Sequence, residues 1–518
     1  MDTLFKRSSG ILLHPTSLPG PDGIGDLGPE AYRWVDFLHD SGCAIWQILP
    51  LGPTGYGDSP YQCFSAFAGN PLLVSPALLL ADGLLTPADL EGRPWFDPHW
   101  IDYGMAIGWK NNLLQKAFDH YLARPKAVLK AEFERFTAKN QTWLDDYALF
   151  MAIKQKLGGG SWIEWPKGLR KRDKQTLQEF LVENSRAVDY QKFIQFLFFR
   201  QWNNLKKYTN HKGIHVVGDI PIFISYDSAD TWVNPDLFYL DSESKPTVVS
   251  GVPPDNFSKT GQLWGTPLYR WDVHQKTGFR WWVTRIKATL EQVDIVRLDH
   301  FRGFAGYWEV KANRETAEKG AWVKGPGSVF FERLQQEIGT LPVIAEDLGN
   351  ITDDVYELRD RFGLPGMKIL QFAFDTPQNI FLPHQYPQYC VAYTGSHDND
   401  TVKGWYLSAD EKEKDFIRRY LARSGDDISW DLIRAVWSSV AMLAVAPMQD
   451  FLSLGSEARM NYPSRLGGNW AWRLDGSALQ PGLSDHIREI NFLYDRLMER
   501  PAKRPAMKPI HYREPGVK

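Results

Sequence analysis

Short apolar runs recur along the chain between longer stretches in which apolar residues return every three or four positions. Leu114, Ala117, Phe118 and Tyr121, and again Leu432, Val436, Val440 and Leu443, follow that step and predict amphipathic helices with core-facing stripes. The short runs are CAIWQILPL (43–51), IHVVGDIPIFI (214–224), DIVRLDHF (294–301), PVIAEDLG (342–349), MKILQFAF (367–374) and CVAYTGSHD (390–398). A helical pattern precedes most of them, such as FRWWVTRIKATLEQV (279–293) before residue 294 and VFFERLQQEIG (329–339) before 342. Helix followed by buried strand, repeated, predicts parallel β/α units.

Doubly wound sheets and (β/α)8 barrels share this signature. Charged residues stand at the C-terminal ends of four of the runs, where barrel enzymes gather catalytic groups from several strands. No Gly-x-Gly-x-x-Gly follows a strand, and LGGGSW (157–162) lacks the Lys-Ser/Thr of a phosphate loop. The pattern therefore predicts an α/β fold, a TIM barrel. Such a barrel needs about 250 residues, so in a chain of 518 much of the length must be insertions. Residues 1–518 are read as one catalytic barrel, with a mostly helical insertion at about 73–205 and long active-site loops at about 225–275 and 303–328.

Composition narrows the function. Hydrophobic residues make up 43% and charged residues 23%, with no apolar run long enough for a membrane span. Lys and Arg total 59 against 62 Asp and Glu, so nothing in the balance calls for nucleic acid or an anionic membrane. Three scattered cysteines, Cys43, Cys63 and Cys390, form neither a disulfide framework nor a zinc spacing. With only ILL where a signal peptide needs a longer apolar core, a cytoplasmic location is expected. The unusual figure is aromatic: 14%, including 21 Trp. Flat rings fill cores, and they also stack on the apolar faces of sugars.

Alternation along a strand puts Arg297 and Asp299 of VRLD on one face, and a guanidinium there favours the ionised acid. In VIAEDLG, Ile344 and Glu346 share a face while Val343, Ala345 and Asp347 share the other. Parity alone does not say which face looks inward; one acid of the pair should be functional and the other structural. VVGDIPIF supplies Asp219, and YTGSHDNDT supplies His397, Asp398 and Asp400. Four strand ends thus deliver Asp, Asp, Glu and Asp to one rim. Convergent carboxylates without a cofactor loop suit glycoside cleavage, in which one acid protonates the leaving oxygen and another attacks the anomeric carbon or activates water. A hard-cation site is the competing reading of the same acids, and the aromatic surplus favours sugar.

DIVRLDHFRGF, VIAEDLG and YTGSHDNDT resemble strand motifs of the α-amylase superfamily. GYGDSPYQCFSAFAGNP (55–71), GVPPDNFSKTGQLWG (251–265) and MNYPSRLGGNWAWR (460–473) resemble, more narrowly, glycoside hydrolase family 77, the amylomaltase-type 4-α-glucanotransferases. The resemblance implies a (β/α)8 barrel interrupted by helical subdomains and lacking a C-terminal β-sandwich. It implies Asp299 as nucleophile, Glu346 as acid/base, and Asp398 as the third carboxylate, which grips the donor sugar's hydroxyls. Arg297, His300, His397 and Asp219 resemble groups around that sugar, and Tyr61 a ring stacked on it. Asp255, Trp264 and Asn469 match donor- or acceptor-side contacts, and Tyr56 part of a second glucan site outside the cleft. Asn256 departs from an often aromatic position, which leaves acceptor stacking there to Phe257. The implied reaction moves α-1,4-glucan segments to the 4-hydroxyl of a second glucan or glucose, with no cofactor and no metal. An α-1,4-glucan hydrolase, or a non-catalytic glucan-binding protein, would use the same surface.

Overall fold

The computed structural model describes residues 6–254, 258–463, 465 and 467–498. Eight parallel strands form the central sheet: β1 (Ser8–Leu12), β2 (Ile45–Gln47), β3 (His215–Pro221), β4 (Ile295–Asp299), β5 (Val343–Ala345), β6 (Gly366–Ile369), β7 (Cys390–Tyr393) and β8 (Leu443–Pro447). Sequence neighbours pair everywhere but between β5 and β6, and β8 returns to β1, in the order β6-β7-β8-β1-β2-β3-β4-β5. The sheet curls into a nearly closed barrel whose one unladdered seam lies between β5 and β6.

Packing answers the question that parity left open. Val217, Ile295, Ile344, Met367, Val391 and Val445 belong to one buried cluster that fills the barrel. Val216, Val296, Leu298, Val343 and Ala345 belong to another, shared with the surrounding helices. Since alternate residues share a face, Asp219, Arg297, Asp299 and Glu346 continue the inward rows of Val217, Ile295 and Ile344 beyond the apolar plug. Asp347 continues the outward row.

Helices match the predicted periodicity at Tyr103–Ala123, Arg280–Gln292 and Gly327–Ile338. The pattern at 432–443 is a composite: the helix stops at Ser438, Val440 is 54% exposed, and Leu443 opens β8. Ser438 and Ser439 turn their hydroxyls onto the carbonyls of Ala435 and Val436, which supplies local backbone partners at the point where the helix ends. Between β2 and β3 run five helices of seven residues or more, the longest Ala127–Lys156 and the last Ser185–His211. Trp162, Trp165 and Phe150 of this region form a separate core with Trp232 from the segment after β3.

The segments around 225–275 and 303–328 are more than loops. Strands Gln262–Pro267, Val248–Val252, Gly306–Lys311 and Gly320–Lys324 pair in that order into one antiparallel sheet. The strands are short, and the pairing that joins the two segments, Val248–Val252 with Gly306–Lys311, connects residues about sixty positions apart, so it is invisible to local pattern. After β8 the described chain forms short helical turns and the helix Pro481–Leu493, with no β-sandwich. Arg496 then ties it to the bottom of the barrel by donating to the carbonyls of Trp437, Ser8 and Ala441. Among the described residues no helix is long and apolar enough to cross a membrane.

Candidate active site

The C-terminal rim carries a charge network assembled by strand register. Asp219 of β3 lies beside Arg297 of β4, and Pro221 beside Asp299. One nitrogen of Arg297, Nη1, donates to Asp219 Oδ2 at 2.6 Å and to Asp299 Oδ1 at 3.0 Å. Burial works against the Arg297 charge, but Asp219 and Asp299 outweigh it and hold the guanidinium protonated. Asp219 is almost fully enclosed, and burial first, then Asp299, pushes its carboxyl upward against the pull of Arg297. Tyr61, from the loop after β2, donates its hydroxyl to Asp219 at 2.8 Å.

Glu346 follows β5 directly. Its Oε2 accepts from the His300 N–H at 2.7 Å and its Oε1 from the Leu348 N–H at 2.9 Å, so the carboxyl is fixed at both oxygens. His300 reaches it from a left-handed conformation, φ 51°, an uncommon geometry for a residue with a side chain and one that turns its N–H toward the acid. Burial raises the Glu346 carboxyl to about 8; Asp299 adds to the rise, while Arg297 and the two N–H bonds oppose it. The His300 imidazole is pushed down to about 4 by burial and is neutral at physiological pH. Trp264, on the small antiparallel sheet, meets it edge-on with ring centres 4.8 Å apart.

The opposite side is built from loops. Asp398, beyond β7, accepts from Asn461 Nδ2 at 2.7 Å and lies 3.3 Å from His397 Nε2. Burial disfavours its charge, but His397 and Asn461 more than offset this and hold the carboxyl well below the usual range. For His397 burial lowers and Asp398 raises, and the net shift is upward. The His397 ring stacks on Tyr61, with centroids 5.1 Å apart, and Trp470 tilts against both. Two walls therefore face one another across a recess lined by acids and rings.

The structure thus brings together Asp299, Glu346, Asp398, Asp219, Arg297, Tyr61, His300, His397 and Trp264. Asn469 is engaged elsewhere: its amide spans its own loop, accepting from Tyr462 N–H and donating to the Arg465 carbonyl. Asp255, Asn256 and Phe257 lie outside the described residues, as does the side chain of Tyr56. Asn461, Arg459 and Trp470 escaped the sequence reading. Arg459 donates to the Asp398 carbonyl at 2.7 Å, and Trp470 holds φ at 61°. All three flank or lie within MNYPSRLGGNWAWR, but a polar or aromatic residue in a Gly-rich stretch carries no local mark of the residue it will meet.

Converging carboxylates at the C-terminal rim of a (β/α)8 barrel, one paired with arginine and one buried with its carboxyl raised, are the arrangement found in enzymes that act on glycosidic bonds. The sequence profile of glycoside hydrolase family 77, described as 4-alpha-glucanotransferase, matches residues 13–479, and the chain belongs to that family. A 4-alpha-glucanotransferase of Thermus thermophilus is 50% identical over 502 residues, 95% of this chain and 100% of that one. One from Synechocystis is 48% identical over 498 residues, 95% of this chain and 99% of that one. Among solved structures, an amylomaltase from Streptococcus agalactiae in complex with acarbose superposes with a TM-score of 0.92 at 38% identity, covering 95% of this chain and 100% of that one.

Proposed function

We propose that the enzyme transfers α-1,4-glucan segments by a retaining double displacement at Asp299 and Glu346. The observation that carries this reading is the contrast between two neighbouring acids. Asp299 accepts from the Arg297 guanidinium at 3.0 Å and stands at the rim of the recess, placed to attack, while Glu346 is buried with its carboxyl raised to about 8, which keeps a proton available near neutrality. In the first half-reaction Asp299 attacks the anomeric carbon, the C1–O4 bond breaks, and the leaving O4 takes the Glu346 proton. In the second, Glu346 removes the proton from an acceptor's 4-hydroxyl, whose oxygen attacks C1 and releases Asp299.

Asp398, held ionised between His397 and Asn461, is suited to accept from hydroxyls of the donor sugar. Tyr61 and Trp264 offer faces and edges for sugar rings. The buried Nε2 of His300 has no partner among the described residues, which fits a sugar hydroxyl satisfying it. The same reading assigns contacts along the glucan to Asp255, Phe257 and Asn469, and a second glucan site outside the cleft to Tyr56. The substrates are α-1,4-glucans, consistent with the acarbose held by the S. agalactiae amylomaltase; a cytoplasmic setting is proposed with them. Incubation with maltotriose is the test. Glucose together with chains longer than maltotriose is expected, and a mixture of glucose and maltose alone would mean hydrolysis and overturn the reading.

A further inference from the structure

Seven of the eight neighbouring strand pairs share a parallel ladder; β5 and β6 do not. Among the described residues, one backbone bond crosses that seam, from Ala345 N–H to the Pro365 carbonyl at 2.9 Å. The next crossing is made by a side chain: Asp347 Oδ1 accepts the Met367 N–H at 2.7 Å, where a ladder would have offered a carbonyl. Its other oxygen, Oδ2, accepts from Arg359 at 2.5 Å, at the end of the helix Asp353–Arg361 that follows β5. The seam leaves no room for more. A Cβ on Gly366 would stand 2.3 Å from Asp347 Oδ2.

Glu346 precedes this latch by one residue, and apart from the Leu348 N–H of its own loop its described hydrogen bonds come from the β4 side. Its N–H donates to Leu298, its carbonyl accepts from Phe301, and its Oε2 accepts from His300. Asp347 supplies the hold from the β6 side. We propose that Asp347 is a positioning residue for the acid/base: by substituting for the missing ladder it fixes the end of β5 and so the reach of Glu346 toward the glycosidic oxygen. This rests on the assignment of Glu346 as acid/base. The adjacent acids then divide the work by parity, the inward one moving the proton and the outward one closing the barrel beneath it.

Two donors separate positioning from general damage. Transfer from maltotriose needs a proton donated and a proton removed. Transfer from α-maltosyl fluoride to azide needs neither, because C1–F breaks to fluoride without protonation and azide carries no proton to lose. A misplaced catalytic group costs on the order of 10²-fold, so Asp347→Asn is expected to lose about that on maltotriose and less than about threefold with the fluoride and azide. Gly366→Ala, which keeps every charge but displaces the Asp347 carboxylate, should show the same split, and it decides the matter if Asp347→Asn does not fold. Equal losses in both assays, or none on maltotriose, would overturn the proposal. Glu346→Gln is the control: if it shows no split, the acid/base assignment itself fails; if it does and the other two variants do not, only the role of Asp347 falls.

Discussion

The two walls of the cleft are built differently. On one, Asp219, Arg297 and Glu346 are 5%, 3% and 9% exposed, each sits on or directly after a barrel strand, and register sets Asp219 beside Arg297. On the other, the Asp398 side chain is 51% exposed and is held by Asn461, which arrives from a loop 63 residues later. Ladder hydrogen bonds fix the first wall before any ligand arrives, so its charges are preorganised. The second depends on contacts between loops, which open more readily than a barrel core. Chemistry that must not move is therefore placed on strands, and recognition that can adapt is placed on loops.

The comparison breaks most sharply at Asp299. Asp299→Asn should lose on the order of 10⁴-fold in transfer, as removal of a covalent nucleophile generally does, with the melting temperature little changed. Turnover left intact would move the nucleophile to the other wall. Glu346→Gln should lose about 10²–10⁴-fold on maltotriose. It should also remove the alkaline limb of kcat/KM: with the Glu346 carboxyl raised to about 8, wild-type activity falls above that value as the acid loses its proton. The linked stability has the same sign. A carboxyl raised from its ordinary 4.5 favours the folded state below that pH, and the contribution is lost as pH climbs toward about 8. Glu346→Gln should therefore gain in melting temperature relative to wild type between about pH 5 and pH 9.

Arg297→Met tests whether the strand wall is a single unit. It leaves the buried Asp219 and the half-buried Asp299 as neighbours without their shared cation, and breaking such a pair costs about 3–5 kcal/mol. Denaturant titration should show a loss of that size, and a loss under about 1 kcal/mol would mean that the carboxylates relax apart. The smallest effect is expected on the loop wall. Asn461→Ala removes one amide from Asp398, worth about 1–2 kcal/mol or roughly tenfold in kcat/KM for short donors. Stability should change little, and a loss as large as that of Asp299→Asn would erase the distinction between the walls.

Much of the strand wall was legible from local pattern. Two-residue alternation put Arg297 with Asp299 and separated Glu346 from Asp347, because pleat geometry is set by covalent structure and holds wherever the strand goes. Which face turned inward was not legible, since Ile344 and Val343 are equally apolar; only the assembled barrel, which packs Ile344 in its interior and Val343 against helices, decides it. The four-stranded sheet was missed for a related reason: its two halves meet through one pairing, Val248–Val252 with Gly306–Lys311, and pairing at that separation leaves no trace in either segment. Asn461 at Asp398 and Asp347 at Met367 N–H belong to the same class.

By itself the sequence determined the alternation of helix and strand, the barrel, the acids at strand ends, and through its motifs the family. Those depend on periodicity and residue chemistry, which are local. The tertiary structure decided how the acids differ: the raised carboxyl of Glu346, the depressed one of Asp398, and the outward latch of Asp347. Protonation depends on what lies within a few ångströms in space, and burial and partners are supplied by residues that the chain brings near only when it folds.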